Sequence, residues 1–182
     1  MAKKSVALIG LSYNGWCPKV TEKWALNQSR LMTKENINLH FYLHAKESMP
    51  EFDNMTYMSN VTDTPVVVIK PFKDIGNNYV YPLQKISRKF GTDYFTSTIA
   101  FMIALALCKG FDEIHLIGLP LRTPVEYFEQ KACIEYWIGR AEGMGVKVHI
   151  QDDASILLKQ SDDILYGYEL TYKQIVRKRI GR

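Results

Sequence analysis

A turn near the start of the chain contains residue types that bind anions. It follows the apolar run at 5–9 and reads Gly-Leu-Ser-Tyr-Asn-Gly over residues 10–15. Glycine lets the backbone turn tightly and approach a ligand, while the serine hydroxyl and the loop amides can donate hydrogen bonds to a phosphate. The turn matches neither GxGxxG nor the GxxxxGK[ST] phosphate loop, which disfavours a NAD-type or P-loop ATPase function. An ordinary strand-to-helix turn is the structural alternative. The candidate ligand contacts here are Gly10, Leu11, Ser12, Tyr13 and Asn14.

A second candidate anion site comprises Thr96, Ser97 and Thr98, which precede a long apolar segment. If that segment is a helix, the three hydroxyls lie beside its free backbone N–H groups. The helix macrodipole adds about half a positive charge at this end, which favours a phosphate or a carboxylate. Helix capping alone explains one of the hydroxyls but not all three.

More candidates follow the apolar run at 113–117. Gly118 closes that run, and Arg122 and Glu126 come shortly after it. In open α/β sheets, ligands bind outside the carboxyl ends of the strands. Arg122 could pair with a phosphate through two hydrogen bonds, and Glu126 could accept from a ribose hydroxyl or act as a general base. The structural alternative is an exposed arginine and a glutamate favoured by a helix dipole.

His44 falls at the carboxyl end of a predicted strand, so it is, with Glu126, a candidate acid–base group. No catalytic pair can be assigned, and whether the protein is an enzyme stays open. His115 and His149 are expected to be structural residues within strands. The histidines lack metal-ligand spacing, and the three cysteines are scattered without a CxxC. We therefore expect no metal site and reduced thiols.

Alternating apolar segments predict the elements that position these residues. The predicted strands cover 5–10, 37–44, 65–70, 113–118 and 145–150. The predicted helices cover 19–31, 47–59, 82–90, 95–108, 124–143 and 156–158. Strands that alternate with helices indicate parallel βαβ units. We expect one Rossmann-like α/β domain over residues 1–182, with a mainly parallel sheet of about five strands and helices on both faces.

Composition limits the cellular setting. The 182 residues are 47% hydrophobic, which suits one globular domain with a substantial core. No apolar run predicts a membrane span, and the first one, 6–9, is too short for a signal peptide, so we expect a cytoplasmic protein. Residues 173–182 carry five basic side chains and no acidic one. This tail is either a solvated helix end or a nucleic-acid contact.

The segment 94–118, YFTSTIAFMIALALCKGFDEIHLIG, resembles a helix–strand signature of small proteins encoded by tailed bacteriophages. The signature is also similar to one in the Rossmann-like group of bacterial sialyltransferases and pterin pyrophosphokinase-like proteins. The turn at 10–12 and Trp24-Ala25-Leu26-Asn27 resemble that group's glycine-serine loop and the asparagine after it. The resemblance extends in order over roughly residues 5–158.

This resemblance implies a nucleotide or nucleotide-sugar pocket built from Ser12, Asn27 and the turn at 96–98, with no other cofactor. It also implies the host cytoplasm as the location if a phage encodes the chain. The enzymes of the group often carry an aspartate two residues after the glycine that closes the fourth strand. This chain has Pro120 there. The loss of that carboxylate argues against inherited catalysis.

Three functions follow as alternatives. The first is a phage-type protein that binds a nucleotide-derived small molecule, for example to sequester a host immune signal, as a homo-oligomer that buries Tyr166 and Tyr168. The second is a nucleotide-sugar-dependent transferase that uses His44 or Glu126 as its base. The third is a DNA- or virion-associated accessory protein that binds through the tail at 173–182.

Overall fold

The computed structural model describes most of the chain, and the fold is given for that part. The described residues are 3–44, 64–73, 76–119, 121, 126–151 and 155–159. The helix predicted at 47–59, the basic tail at 173–182, Pro120 and Arg122 lie outside these residues. Within the described ranges, no helix has both the length and the apolar character needed to cross a bilayer.

Seven strands form one sheet, and each pairs in parallel with its neighbours. The strands are β1 (Ser5–Ile9), β2 (Glu22–Leu26), β3 (Leu39–Phe41), β4 (Val66–Val68), β5 (Asn78–Val80), β6 (Glu113–Ile117) and β7 (Lys147–Ile150). Their order across the sheet is β5-β4-β3-β2-β1-β6-β7. The predicted Rossmann-like α/β fold is confirmed, with seven strands instead of about five, and the helices predicted on the second face of the sheet stay a prediction. The strand order reverses between β1 and β6, where open α/β sheets form their ligand crevice.

Helices cover one face of the sheet and form the main core with it. They are α2 (Leu83–Phe90), α3 (Thr98–Lys109) and α4 (Lys131–Gly143), and a π-helical turn (Glu126–Gln130) leads into α4. Alternate strand residues such as Leu8, Trp24 and Phe41 pack with these helices. The intervening residues, such as Ala7 and Ala25, form a smaller cluster on the opposite face. Because both faces of the central strands are buried, these strands appear in the sequence as continuous apolar runs.

The helix predicted at 19–31 is wrong. Residues 22–26 form β2, which pairs with β1 on one side and β3 on the other. Trp24 and Leu26 are two residues apart and share the face that packs in the main core, which is the period of a strand. A helix, α1, begins only at Ser29 and ends at Met32. Tertiary burial of Trp24 on the sheet therefore overrides the partly helical spacing.

Two short elements also differ from the prediction. β5 was not predicted, because its three residues are half-buried or exposed and lack an apolar pattern. The helix predicted at 156–158 is wrong, since residues 157–158 form only a turn. Leu158 there has a φ of 56°, which a helix cannot contain.

α3 begins at Thr98 and not at residue 95 as predicted, because Ser97 caps it, and it ends next to Gly110 as its flanking residues predict. The Ser97 hydroxyl caps the helix by accepting a hydrogen bond of 3.3 Å from the Ala100 N–H. At the other end Gly110 adopts a φ of 72°, the left-handed conformation that commonly ends helices. The capped end lies where the carboxyl ends of the strands meet.

The chain segments that leave β1 and β6 cross with no room for a side chain. The Gly10 N–H donates to the Ile117 carbonyl at 2.7 Å, and the Ser12 N–H donates to the Gly118 carbonyl at 3.1 Å. A Cβ at Gly118 would lie 2.6 Å from the Tyr13 nitrogen, and Gly118 has a φ of 68°. A Cβ at Gly10 would lie 2.4 Å from the Gly118 oxygen. Glycine is therefore required at both positions.

We expect Gly118→Ala to lower the free energy of unfolding by about 2 kcal/mol or more, because it adds left-handed strain and a backbone clash. The matched control is Gly139→Ala in α4, where a Cβ meets nothing within 4 Å. That change is expected to stabilise the protein by about 0.5–1 kcal/mol, since alanine favours a helix interior. Urea denaturation followed by circular dichroism measures both. Equal effects of the two substitutions would contradict the close crossing.

Candidate functional site

A cavity of about 610 Å³ opens at the carboxyl ends of β1, β2, β3 and β6, beside the amino end of α3. This is within the usual size range of small-molecule sites. Much of its wall is apolar, including Leu26, Leu43, Phe95 and Leu119. Polar groups from separate segments of the chain converge on it. The cavity thus combines an apolar surface with a few polar contacts, as ligand sites generally do.

The fold brings most of the sequence-predicted site residues to this cavity. Those that line it are Leu11, Ser12, Asn27, His44, Thr96, Ser97, Thr98 and Gly118. Gly10 does not line it but forms the strand crossing beneath it. Arg122 lies outside the described residues, and Glu126 begins the π-helical turn. The role of each residue as a ligand contact stays a prediction.

Tyr13 and Asn14 were predicted as contacts, but they do not line the cavity. The Tyr13 hydroxyl donates to Glu35 at 2.9 Å, and Lys23 pairs with the same carboxylate. Burial and the hydrogen bond to Glu35 raise the pKa of Tyr13 to about 12. The Asn14 side chain accepts a hydrogen bond from the Trp16 N–H at 3.1 Å. Both side chains therefore stabilise the loop after β1.

The hydroxyls at the start of α3 have different partners. Ser97 is 8% exposed and caps the helix. Thr96 donates to the Glu129 carbonyl at 2.7 Å, which ties the helix start to the π-helical turn. The Thr98 hydroxyl has no hydrogen-bond partner among the described residues, and neither do the N–H groups of Thr98 and Ile99. These three donors are therefore available to an anion at a helix amino end.

Asn27 is held in a strained conformation at the end of β2. Its φ is 46°, in the left-handed region that residues with a Cβ rarely adopt. The Asn27 N–H donates to the Phe41 carbonyl at 3.0 Å. Its side-chain Oδ1 is buried and has no hydrogen-bond partner in the described part of the chain. Asn27 lines the cavity, and a turn of its side chain would let the unpaired Oδ1 accept a hydrogen bond from a bound ligand.

His40 supports Asn27 from beneath, and sequence reasoning did not assign it this role. Its Nε2 lies 2.8 Å from the Asn27 carbonyl oxygen, and the side chain is 1% exposed. Burial lowers the pKa of His40 to about 4, so the ring is neutral at neutral pH. Since a carbonyl only accepts, Nε2 carries the proton and donates it. His40 therefore positions the strained backbone of Asn27.

The cavity wall includes two aromatic residues, Phe95 and Phe101, that were not predicted as site residues. Phe95 stacks against Phe101 at 4.4 Å and against Trp137 at 5.0 Å between ring centroids. Phe95 lines the cavity, and Trp137 is fully buried in the core. In the sequence, the one signal for a role of Phe95 at the site is its position directly before the hydroxyls of residues 96–98. This stack gives the cavity a rigid surface on which a planar ring can pack.

His44 is exposed and lines the cavity together with Gln130 of the π-helical turn. The ring centroid of His44 is 5.9 Å from that of Tyr42. An exposed imidazole beside a cavity can take a proton from a bound hydroxyl. A catalytic role for His44 stays a prediction.

Comparison with known proteins identifies similar folds. No protein-family model matches the sequence, and no curated protein matches it. The sialyltransferase CstII from Campylobacter jejuni, in complex with a substrate analogue, cytidine-5'-monophosphate, has a TM-score of 0.54 at 13% identity. The same sialyltransferase in complex with CMP-3FNeuAc has a TM-score of 0.54 at 16% identity. Both alignments cover 85% of this chain and 82% of the other.

At these identities the likeness is one of fold. The predicted resemblance to the bacterial sialyltransferases is confirmed at that level. The resemblance to bacteriophage proteins stays a prediction.

The buried state of His40 predicts a pH dependence of stability. An unfolded histidine titrates near 6.5, whereas His40 titrates at about 4 when folded. The unfolded chain therefore binds more protons between these values. The stability that depends on neutral His40 is fully present above the unfolded pKa and is lost as pH falls toward 4, by about 3 kcal/mol.

The variant His40→Gln should show a smaller loss of stability on acidification, by roughly 2–3 kcal/mol, because glutamine keeps an N–H donor but does not titrate. Urea denaturation between neutral pH and about pH 4 measures this difference. His44→Gln, at an exposed position, is the matched control for the exchange of a histidine for glutamine. Identical profiles for His40→Gln and the parent would contradict the burial of a neutral ring.

Proposed function

We propose that the cavity binds the nucleotide part of a nucleotide sugar and that the protein transfers the sugar to an acceptor hydroxyl. One observation carries the proposal most directly. Donors of α3 that have no partner among the described residues, together with Asn27, line one cavity with an aromatic wall. The fold likeness supports it, since the similar structures hold cytidine-5'-monophosphate and CMP-3FNeuAc.

The groups present match the parts of a nucleotide. The phosphate would accept hydrogen bonds from the Thr98 hydroxyl and from the N–H groups of Thr98 and Ile99, where the helix dipole adds positive charge. Ser12 lines the same cavity and offers a further hydroxyl. Asn27 Oδ1 would accept from a base amino group or a ribose hydroxyl. The Phe95 ring would pack against the base.

For the transfer, His44 would act as the general base. The oxygen of the acceptor hydroxyl attacks the anomeric carbon, the bond from that carbon to the phosphate oxygen breaks, and the nucleotide leaves with the bond's electron pair. The acceptor proton passes to the imidazole nitrogen of His44. A positioned base of this kind contributes about 10²–10⁴-fold to a rate. Glu126 is the alternative base.

A protein that binds a nucleotide-derived signal without converting it would use the same cavity. Pro120, in place of the carboxylate common in the resembling enzymes, favours this second candidate. The two functions differ in what is released after binding. Binding without conversion requires only contacts to the phosphate and to the nucleobase. Transfer also requires a side chain that accepts the proton of the acceptor hydroxyl.

We expect cytidine-5'-monophosphate to stabilise the protein against thermal unfolding, by about 2.7 kcal/mol at a concentration of 100 times its dissociation constant. Thr98→Val removes the free hydroxyl without changing shape and should weaken binding about tenfold. The matched control is Ser87→Ala in α2, whose buried hydroxyl has no partner in the part of the chain that the structure describes and does not line the cavity. Isothermal titration calorimetry gives the affinities. Equal affinity in Thr98→Val and Ser87→Ala would contradict the phosphate position.

We expect the purified protein to release free nucleotide from CMP-linked sugars in the presence of acceptor hydroxyls, detected by mass spectrometry. His44→Gln should retain nucleotide affinity and lose turnover by about 100-fold or more, since only the base is removed. If the parent binds the nucleotide sugar and returns it unchanged on denaturation, transfer is ruled out and the holding function is supported. If neither nucleotide nor nucleotide sugar binds, both functions are wrong.

A further inference from the structure

Three potential metal ligands lie together on β6 and β7, away from the cavity. Glu113 and His115 are two residues apart on β6, and His149 lies directly opposite His115 on β7. Residues two apart on a strand share one face, and here it is the face opposite the main core. None of the three lines the cavity. The sequence gives no metal-ligand spacing, because the pairing of residues 34 positions apart depends on the strand register.

The side chains are close enough to share one ion. One ligand atom from each of the three lies within 4.8 Å of the others. The imidazole rings of His115 and His149 are nearly parallel, with centroids 4.5 Å apart. In a tetrahedral zinc site with bonds of about 2.0–2.1 Å, ligand atoms are about 3.3 Å apart. Because an imidazole binds a metal in the plane of its ring, the two nearly parallel rings would have to rotate about their side-chain bonds as the ion binds.

Two further features of the histidines bear on metal binding. The Nε2 of His149 is buried and has no hydrogen-bond partner within the described ranges. Such an orphaned nitrogen costs stability unless something pairs with it. The Gln151 amide nitrogen lies 3.1 Å from the Nδ1 of His115. A half-turn of the amide would bring its oxygen to Nδ1, where it would accept a hydrogen bond from the ring N–H and leave the Nε2 lone pair to a metal, as outer groups do for metal-bound histidines.

Charged neighbours are compatible with a cation at this position. Lys3 pairs with Glu113 at 3.2 Å, but the Lys3 side chain is 64% exposed, so this surface ion pair is easily exchanged. Lys147 lies opposite Glu113 on β7 and is exposed, so its ammonium can remain in solvent. The carboxylate of Glu113 is then available to an ion.

We propose that Glu113, His115 and His149 bind a divalent zinc-type ion that links the edge strand β7 to β6. Two imidazole nitrogens and a carboxylate oxygen form a ligand set typical of zinc, and solvent would complete the tetrahedron. The ion satisfies the orphaned His149 nitrogen and joins two strands through their side chains. The site is independent of the proposed transferase function, because no ligand is shared with the cavity.

Titration of the full chain with Zn²⁺ against a chromogenic chelator tests the proposal. We expect one high-affinity ion for each chain. His115→Gln and His149→Gln should each weaken binding by at least about tenfold, and Glu113→Gln by about tenfold. His44→Gln removes a histidine outside the cluster and should bind zinc as the parent does. Circular dichroism establishes that each variant is folded.

The absorption spectrum of bound Co²⁺ distinguishes binding at this site from metal binding by a cysteine thiolate. Co²⁺ bound by nitrogen and oxygen gives visible d–d absorption without the thiolate-to-metal charge-transfer band in the near ultraviolet. Zn²⁺ should also raise the melting temperature of the parent and not that of His149→Gln. Unchanged zinc affinity in both histidine variants, a thiolate band with Co²⁺, or no zinc binding by the parent would each overturn the proposal.

Discussion

The chain segments that follow β1 and β6 cross so closely that neither Gly10 nor Gly118 has space for a Cβ. This crossing fixes how the loop after β1 leaves the sheet at the point where the strand order reverses. It places Leu11 and Ser12 against the end of β6 and opposite the start of α3. The cavity lies next to this crossing, and residues of both crossing segments line it.

Around the cavity, polar groups fall into two classes. Some are satisfied within the protein, including the hydroxyls of Ser97 and Thr96, which cap α3 and hold the π-helical turn. Others, chiefly Asn27 Oδ1 and the donors at Thr98, have no partner in the described residues. His40 maintains this difference, since its hydrogen bond keeps Asn27 in a conformation that costs energy. Hydrogen bonds within the protein thus hold in place the residues whose own polar groups have no partner in the described part of the chain.

Much of this arrangement could be predicted from local sequence, because apolar runs and glycine-closed strands are local signals. β1, β4, β6 and α3 are of this kind. The segment 22–26 was misassigned because Trp24 and Leu26 fit two periodicities, and only pairing with β1 and β3 decides between them. The roles of His40 and the His115–His149 pair depend on contacts between distant segments. Register and burial create these contacts, and a single sequence does not specify either.

The aromatic stack beside the cavity gives the protein an intrinsic optical reporter. Phe95 forms part of the cavity wall and stacks on Trp137, whose indole N–H donates to the Tyr94 carbonyl at 2.9 Å. Of the other two tryptophans, Trp24 lies in the sheet core and Trp16 is exposed. A molecule that packs on Phe95 is separated from Trp137 by that one ring, which brings an indole close to the cavity contents. Occupancy of the cavity can thus be followed by tryptophan fluorescence without an attached dye.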